Sequence, residues 1–216
     1  MGRFLPFCLV ALWGTILQLV TRDLVNGIPR KTVPYQPEYL ITFWKSGVSN
    51  FSTLLVSEET NTLYVGAKDY ILALDLDNIS QEITREPWLV PEDRWLECLR
   101  RGKSKAECHN YIRVLHKINT TGLYICGTNA FHPACRHYMV INNKTFQLQR
   151  KAADGRGKCP FEPTGSYASL MFEGSLYSAT SNNFLGTEPI ILRSLKNPLR
   201  TEFKASWLNG SDDSLT

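Results

Sequence analysis

The chain has 216 residues, of which 43% are hydrophobic, and its 24 lysines and arginines exceed its 20 aspartates and glutamates to give a net charge of +4. A charge this mild indicates no class of partner by itself. No aromatic residues interleave with the basic residues between Cys98 and Cys108, which disfavours a nucleic-acid-binding protein. After the first apolar run near the N-terminus, no segment approaches the length of a transmembrane helix, which excludes a later helical membrane span.

The N-terminus has the layout of a secretory signal peptide. An uncharged, mostly apolar run from Phe4 to Val20 follows Arg3, and charge returns at Arg22. The run is short for a bilayer span, so a retained signal anchor is the less favoured alternative. We therefore predict a signal peptide over residues 1–21, with cleavage between residues 21 and 27, and an exported, extracellular chain.

A proline-containing leader over residues 22–38 precedes a long series of β-strand signals. Short apolar runs rich in β-branched and aromatic residues alternate with turn residues, and no stretch of a dozen residues keeps a helical period. The chain therefore reads as all-β. The predicted strands are Tyr39–Trp44, Phe51–Val56, Thr62–Gly66, Tyr70–Leu76, Ile83–Val90, Tyr111–Leu115, Leu123–Cys126, Arg136–Ile141, Phe146–Gln149, Tyr167–Phe172, Ser175–Thr180, Ile190–Arg193 and Glu202–Ala205.

Five N-x-[ST] sequons accompany these strands, most of them at predicted turns or strand ends. Asn119, for example, begins the turn Asn-Thr-Thr-Gly between two strands. Positions of this kind tolerate a sugar in solvent. The predicted glycosylation sites are Asn50, Asn78, Asn119, Asn143 and Asn209.

Five cysteines remain once Cys8 leaves with the signal peptide, which permits two bridges and one odd residue. Proximity favours pairing Cys98 with Cys108 and Cys126 with Cys135. Cys159 is then a buried free thiol or has a partner outside this chain. An exported protein favours oxidised thiols.

The densest basic cluster lies mostly inside the Cys98–Cys108 loop. The plain interpretation is a solvated loop, and the alternative is a contact with an anion such as heparan sulfate or an acidic receptor face. Trp88 and Trp95 flank Pro91 nearby, where they either pack a loop against the sheet or offer an exposed aromatic anchor. The basic residues are Arg94, Arg100, Arg101, Lys103 and Lys105.

A repeated pair of residues organises the strands. Leucine followed by tyrosine and a small or β-branched residue recurs at Tyr64, Tyr124 and Tyr177, each time after a strand with buried-sheet composition. A recurrence of four strands at this spacing is typical of β-propeller blades with long loops. An immunoglobulin-like Cys-Trp-Cys framework is absent. The chain has room for about three blades.

The chain resembles the semaphorins, most of all those of class 4. The matching pieces are FSTLLVSEETNTLYVGAKDYILALDL from Phe51, AECHNYIRVL from Ala106, LYICGTNAFHPAC from Leu123, GRGKCPFEP from Gly155, LYSATSNNFLGTEPIILRSL from Leu176 and RTEFKASWLN from Arg200. The cysteine of Cys159-Pro-Phe-Glu-Pro carries the class 4 likeness. The resemblance covers nearly everything over residues 39–209, which we predict to be a partial sema propeller.

This resemblance implies an incomplete seven-bladed propeller and an extracellular ligand that binds plexin receptors in axon guidance and cell migration. It implies the same two cysteine pairings, a homodimer in the full-length form, and full-length relatives anchored in the plasma membrane. Tyr39–Trp44 would be the strand that closes the ring. Residues 210–216 depart from the family pattern, so a truncated isoform without a closed propeller, inactive or acting as a competitor, is the alternative.

An enzyme is disfavoured, because no Gly-x-Ser-x-Gly elbow, phosphate loop or His-Glu-x-x-His motif is present. We predict no catalytic residue, cofactor or metal, and no receptor-contact residue is assigned. Zinc held by Cys126, Cys135, His132 and His137 is a weak alternative with an unfamiliar spacing. An unrelated secreted binding or enzymatic module is the last alternative. The remaining candidates for polar chemistry are His109, His116, Asp75, Asp77 and Glu107.

Overall fold

The computed structural model describes residues 34, 40–142, 144–196 and 198–200, with the side chain of Arg200 excepted. The chain divides into two compact units, Met1–Leu40 and Ile41–Thr216. The described part of the second unit consists of three antiparallel sheets, each with its strands in chain order. The predicted signal peptide, the strand Glu202–Ala205 and the tail over residues 210–216 lie outside the described residues.

The first sheet, blade 1, has two central strands that are apolar on both faces. Tyr64 and Ile71 point to one face, whereas Val65 and Leu72 point to the other, and all four are buried. Both faces of these strands are thus covered. The strands of blade 1 are β1 (Thr53–Ser57), β2 (Thr62–Gly66), β3 (Tyr70–Asp75) and β4 (Glu82–Pro87).

The second sheet, blade 2, contains the most deeply buried strand, since all six residues of Gly122–Gly127 are buried. A tight turn precedes that strand, in which the side-chain carbonyl of Asn119 accepts hydrogen bonds from the backbone N–H groups of Thr121 (3.1 Å) and Gly122 (2.6 Å). The strands are β5 (Ile112–Lys117), β6 (Gly122–Gly127), β7 (Ala134–Ile141), β8 (Thr145–Leu148) and β9 (Ala153–Asp154), the last of which pairs with β7.

The third sheet, blade 3, buries one face and exposes the other. Leu176 of its second strand is fully buried, whereas Leu170 and Phe172 of its first strand are 60% and 55% exposed. Its strands are β10 (Ala168–Phe172), β11 (Ser175–Ser181), β12 (Pro189–Ser194) and β13 (Leu199–Arg200).

The Leu-Tyr repeat explains how the blades stack. Neighbouring residues of a strand point to opposite faces, so each leucine and its tyrosine serve different interfaces. Tyr64 joins the core between blades 1 and 2, which Leu123 enters from the other side. Tyr124 and Leu176 meet in the same way between blades 2 and 3. Tyr177 points to the open face of blade 3, where it is 37% exposed.

These sheets confirm the prediction of about three propeller blades and of a mostly β chain. Two details are wrong. Residues 40–44 form no strand, because no described strand lies beside them to share hydrogen bonds. The chain also contains an α-helix, α1 (Glu92–Arg100), where sequence reasoning placed only loop.

Helix α1 is short, which is why its period escapes detection. Its nine residues supply a single apolar stripe of Trp95, Cys98 and Leu99, which packs into a small separate core. Glu92 and Asp93 occupy the first turn, where negative charge favours the helix dipole. Within the described ranges, no helix combines the length and apolar character needed to cross a membrane.

Candidate functional site

The connections between strands differ at the two ends of the blades. At one end, called the helix end, lie the long segments 88–111, 128–133 and 182–188, with α1 in the first of them. At the other end, called the turn end, lie the short connections 58–61, 76–81, 118–121 and 173–174. The helix end is therefore the candidate binding surface, since long connections carry function more often than tight turns.

A cleft of about 830 Å³, called the helix cleft, opens at this end. Its walls come from α1, the β6–β7 connection, β9 and the β11–β12 connection, and Phe131 and Phe184 stack with ring centroids 5.3 Å apart. Leu185 follows Phe184 and is 76% exposed. Polar and charged lining residues are Arg94, Arg101, Asn129, His132, Asp154, Arg156, Asn182, Asn183 and Glu188.

Most of the predicted basic cluster is held in place at the helix cleft. Arg94 and Arg101 both contact the Glu97 carboxylate, at 3.4 and 2.5 Å. The Lys103 ammonium lies 4.3 Å from the centre of the Phe131 ring and 3.2 Å from the Glu162 carboxylate. Arg100, Arg101 and Lys105 are exposed, as the solvated-loop interpretation expects, whereas Arg94 and Lys103 are half-buried.

Two disulfides brace the helix end. Cys98–Cys108 ties the last turn of α1 to the segment that enters β5, and both sulfurs lie in the small core beneath the helix. Cys126–Cys135 joins residues directly opposite each other on β6 and β7. These are the pairings that the resemblance implies, and they leave no cysteine thiolate at 126 or 135 for zinc.

Cys159 is fully buried and free. It packs in the core between blades 2 and 3, where Tyr124 and the Cys126–Cys135 disulfide also lie. Burial raises the pKa of its thiol well above the ordinary range. A thiol kept protonated in this way has little nucleophilic or metal-binding character.

A hydrogen-bonded hub beneath the helix end joins blades 1 and 2. Asn110 is fully buried, and its side chain donates to the Trp88 carbonyl (3.1 Å) and accepts from the Asn129 backbone N–H (2.9 Å). The Asp69 carboxylate accepts from the Asn110 backbone N–H (2.9 Å) and lies 2.6 Å from His109 Nδ1. Sequence reasoning missed this hub, since polar residues in a turn-rich stretch look solvent-exposed.

The four histidines and three carboxylates considered as catalytic candidates lie apart. His132 lines the helix cleft, His116 contacts the Ser169 hydroxyl, and His137 packs against the Tyr124 ring. Burial lowers the pKa of all three imidazoles, aided at His132 by Arg94 and at His137 by Arg150. In the described part of the chain, no three histidine, cysteine or acidic residues gather as a metal site requires.

The candidate carboxylates have structural roles. Asp75 accepts hydrogen bonds from the backbone of the β3–β4 turn, and Asp77 accepts one from Asn61. Glu107 accepts two from Ser104, which lower the pKa of its carboxyl. Trp88 is buried with Arg136 stacked on its ring, and Trp95 packs beneath α1, so the packing interpretation of both tryptophans holds.

The described sequons sit mostly at the turn end. Asn78 lies in the β3–β4 turn, half-buried, and Asn119 lies exposed in the β5–β6 turn. Asn50 is exposed and lies just before β1, beside the helix end. Asn143 and Asn209 lie outside the described residues. Glycosylation at these positions stays a prediction.

Curated proteins with similar sequences include several semaphorins of class 4. The chain is 45% identical to human semaphorin-4D over 209 residues, which are 96% of this chain and 23% of the relative. It is 44% identical to rat semaphorin-4F over 189 residues (85% and 24%) and 40% identical to mouse semaphorin-4C over 204 residues (92% and 24%). The chain thus spans about a quarter of the length of these curated relatives.

Solved structures with a similar fold include semaphorins. A chain of the complex of Drosophila Plexin A with Semaphorin 1b superposes with a TM-score of 0.63 at 31% identity, over 74% of this chain and 30% of that chain. The extracellular domains 1–2 of Drosophila Semaphorin 1b give a TM-score of 0.62 at 33% identity, over 72% and 29%. No family model matches the chain.

Proposed function

The chain belongs to the semaphorin family, and we propose that it is an extracellular signalling chain that binds plexin-type receptors in axon guidance and cell migration. The observation that carries this proposal is the likeness to a chain of a solved plexin–semaphorin complex, at 31% identity. As in the family, no enzymatic step is required: the chain acts by binding, and a membrane receptor transmits the signal.

We assign the receptor-binding surface to the helix end. Protein interfaces favour aromatic and arginine side chains around a central anchor. The helix cleft is lined by Phe184, Arg94 and Arg101, and the exposed Leu185 follows Phe184 in the chain. The turn end carries the sequons at Asn78 and Asn119. Sugars at those two positions would keep a protein partner from the turn end.

The test uses the full chain, expressed in a secretory host and applied to cells that display or lack a plexin. We expect binding only to plexin-displaying cells, and at least about tenfold weaker binding for Leu185→Asp, because a charge in an interface core is costly. Ile118→Asp is the matched control, since Ile118 is 38% exposed at the turn end. Equal binding by both variants would exclude the helix end as the receptor surface.

Competition with longer semaphorins is the second candidate function. It is favoured by the exposed apolar residues of blade 3, Leu170 and Phe172, which bury no partner surface in the described part of the chain. A competitor would bind plexin-displaying cells without triggering collapse, that is, contraction of the cells. It would also reduce the collapse that a longer semaphorin causes in the same cells. Collapse by the chain alone would identify it as an agonist.

A further inference from the structure

A second pocket lies between blades 2 and 3, beside the helix cleft. This pocket, called the interblade groove, has a volume of about 490 Å³ and runs along the inner face of β12. Asp154, Arg156 and Asn182 line both pockets, whereas Lys158 and Ser194 line only the groove. Variants of Lys158 and Ser194 therefore probe the groove without changing a residue that lines the helix cleft.

The groove contains a buried polar group with no partner. Ser194 is 6% exposed, and its hydroxyl lies among the buried side-chain atoms that make no hydrogen bond. Leaving a buried hydroxyl unpaired costs free energy, so native structures seldom do so without a bound group. An acceptor in the groove would satisfy it.

Cationic donors converge on the same space. Arg156 uses Nε and Nη2 to hold the Asp154 carboxylate at 2.8 Å, which leaves Nη1 unused. Lys158 Nζ donates to the Asp154 backbone carbonyl (2.9 Å), which leaves two of its three N–H groups unused. With one carboxylate against two cations, the groove carries one net positive charge.

The segment that carries these cations is fixed in advance. The Ser178 hydroxyl donates to the Gly157 carbonyl (2.8 Å), and the backbone N–H of Gly155 donates to the Pro133 carbonyl (2.8 Å). Gly157 has a φ of +70°, a left-handed conformation that glycine adopts without steric cost. A rigid segment binds a ligand without first losing conformational entropy.

We propose that the interblade groove binds a sulfate-type oxyanion, carried as an ester on a sulfated saccharide. Lys158, Arg156 Nη1, the Asn182 amide and the Ser194 hydroxyl would donate to the oxyanion, and the two charged donors would make charge-assisted hydrogen bonds to it. Ile190, Leu192 and Pro198 line the same groove and offer apolar surface to a sugar ring. This site is separate from the basic cluster on α1.

The experiment is calorimetric titration of the full chain with a fully sulfated heparin-derived tetrasaccharide, its desulfated form, and sodium sulfate. We expect the sulfated saccharide to bind and the desulfated one to fail. Sodium sulfate that competes at millimolar concentration would support an oxyanion site occupied by a glycan ester. Sodium sulfate that binds as tightly as the saccharide would support the same oxyanion site with free anion as its ligand.

Matched variants give the discriminating result. Lys158→Gln should weaken binding about tenfold, because it removes a hydrogen bond from a charged donor. Ser194→Ala should weaken binding about threefold, because it removes a hydrogen bond from a neutral donor. Lys151→Gln removes the same charge from an exposed residue outside the groove and should change affinity less than about twofold. Because the Ser194 hydroxyl has no partner in the protein, Ser194→Ala should not lower the stability of the unbound chain.

Equal losses for Lys158→Gln and Lys151→Gln would overturn the proposal in favour of diffuse surface charge. No binding by the unmodified chain would overturn it as well. Unchanged affinity in the folded Ser194→Ala variant would remove the hydroxyl from the site and contradict the assignment. None of these results depends on the receptor, so failure here leaves the plexin-binding proposal separately testable.

Discussion

The helix end and the turn end close the same strands but are built differently. The helix end has long connections, a helix, two disulfides and a buried polar hub. The turn end has short turns with left-handed residues such as Asn61 and Glu173, and it carries the sequons at Asn78 and Asn119. The comparison indicates that the strands provide a common scaffold, while the braced long connections provide the binding surface.

Removing the Cys98–Cys108 disulfide should have the largest effect on the difference between the helix end and the turn end. We expect Cys98→Ser with Cys108→Ser to lower the free energy of unfolding by about 3 kcal/mol, since the bridge closes a ten-residue separation in the unfolded chain. Urea unfolding measures the loss. Hydrogen exchange should show that α1 loses protection, because the bridge anchors its last turn.

The comparison for that variant is Cys126→Ser with Cys135→Ser. This bridge closes a nine-residue separation, so its entropic contribution is similar. Its cysteines lie on paired strands, however, and α1 should stay protected. Equal loss of protection in α1 for both double variants would contradict the anchoring role of Cys98.

The buried hub gives the next largest effect. Asn110→Ala leaves the Trp88 carbonyl and the Asn129 N–H without partners, and we expect the free energy of unfolding to fall by about 2 kcal/mol. Asn61→Gly at the turn end keeps the left-handed backbone and removes only an exposed hydrogen bond to Asp77, so we expect less than about 0.5 kcal/mol. Equal losses of unfolding free energy for Asn110→Ala and Asn61→Gly, measured by urea unfolding, would contradict the difference between the hub and the turn end.

The pH dependence of stability is a smaller effect that involves both ends. The folded state lowers the pKa of His116 and His132 by burial, so the unfolded chain binds more protons below about pH 6.5. The free energy of unfolding should therefore fall as the pH drops from about 7.5 toward 5. Urea unfolding should show a shallower decline for His116→Asn and for His132→Asn. An unchanged decline of stability with pH in both variants would contradict the role of these two histidines.

Glycosylation at the turn end should have the smallest effect on stability. Asn119→Asp keeps the oxygen that accepts from Thr121 and Gly122 but cannot carry a sugar. We expect the mass to fall by one glycan and the free energy of unfolding to change by less than about 0.5 kcal/mol. Mass spectrometry and urea unfolding check this, and an unchanged mass would show that Asn119 is not glycosylated.

Much of the scaffold is predictable because strand signals are local. The runs around Tyr64, Tyr124 and Tyr177 became strands at or near the expected bounds, since short runs rich in apolar and aromatic residues between turn signals favour buried strands. The helix α1 was missed because nine residues give too short a period. The helix cleft and the hub were missed because they join segments far apart in the chain, such as Arg94 with Phe184 and Trp88 with Asn110.

The sequence by itself determined the β character, the three-blade count, the family and the positions of the sequons, because each rests on the order and spacing of neighbouring residues. The tertiary structure decided which faces are buried, which end is braced, and which polar groups converge. Ser194 and Lys158 are 36 positions apart and look unremarkable in the sequence. They line one groove because two sheets pack face to face, and packing between distant segments is not written in any local pattern.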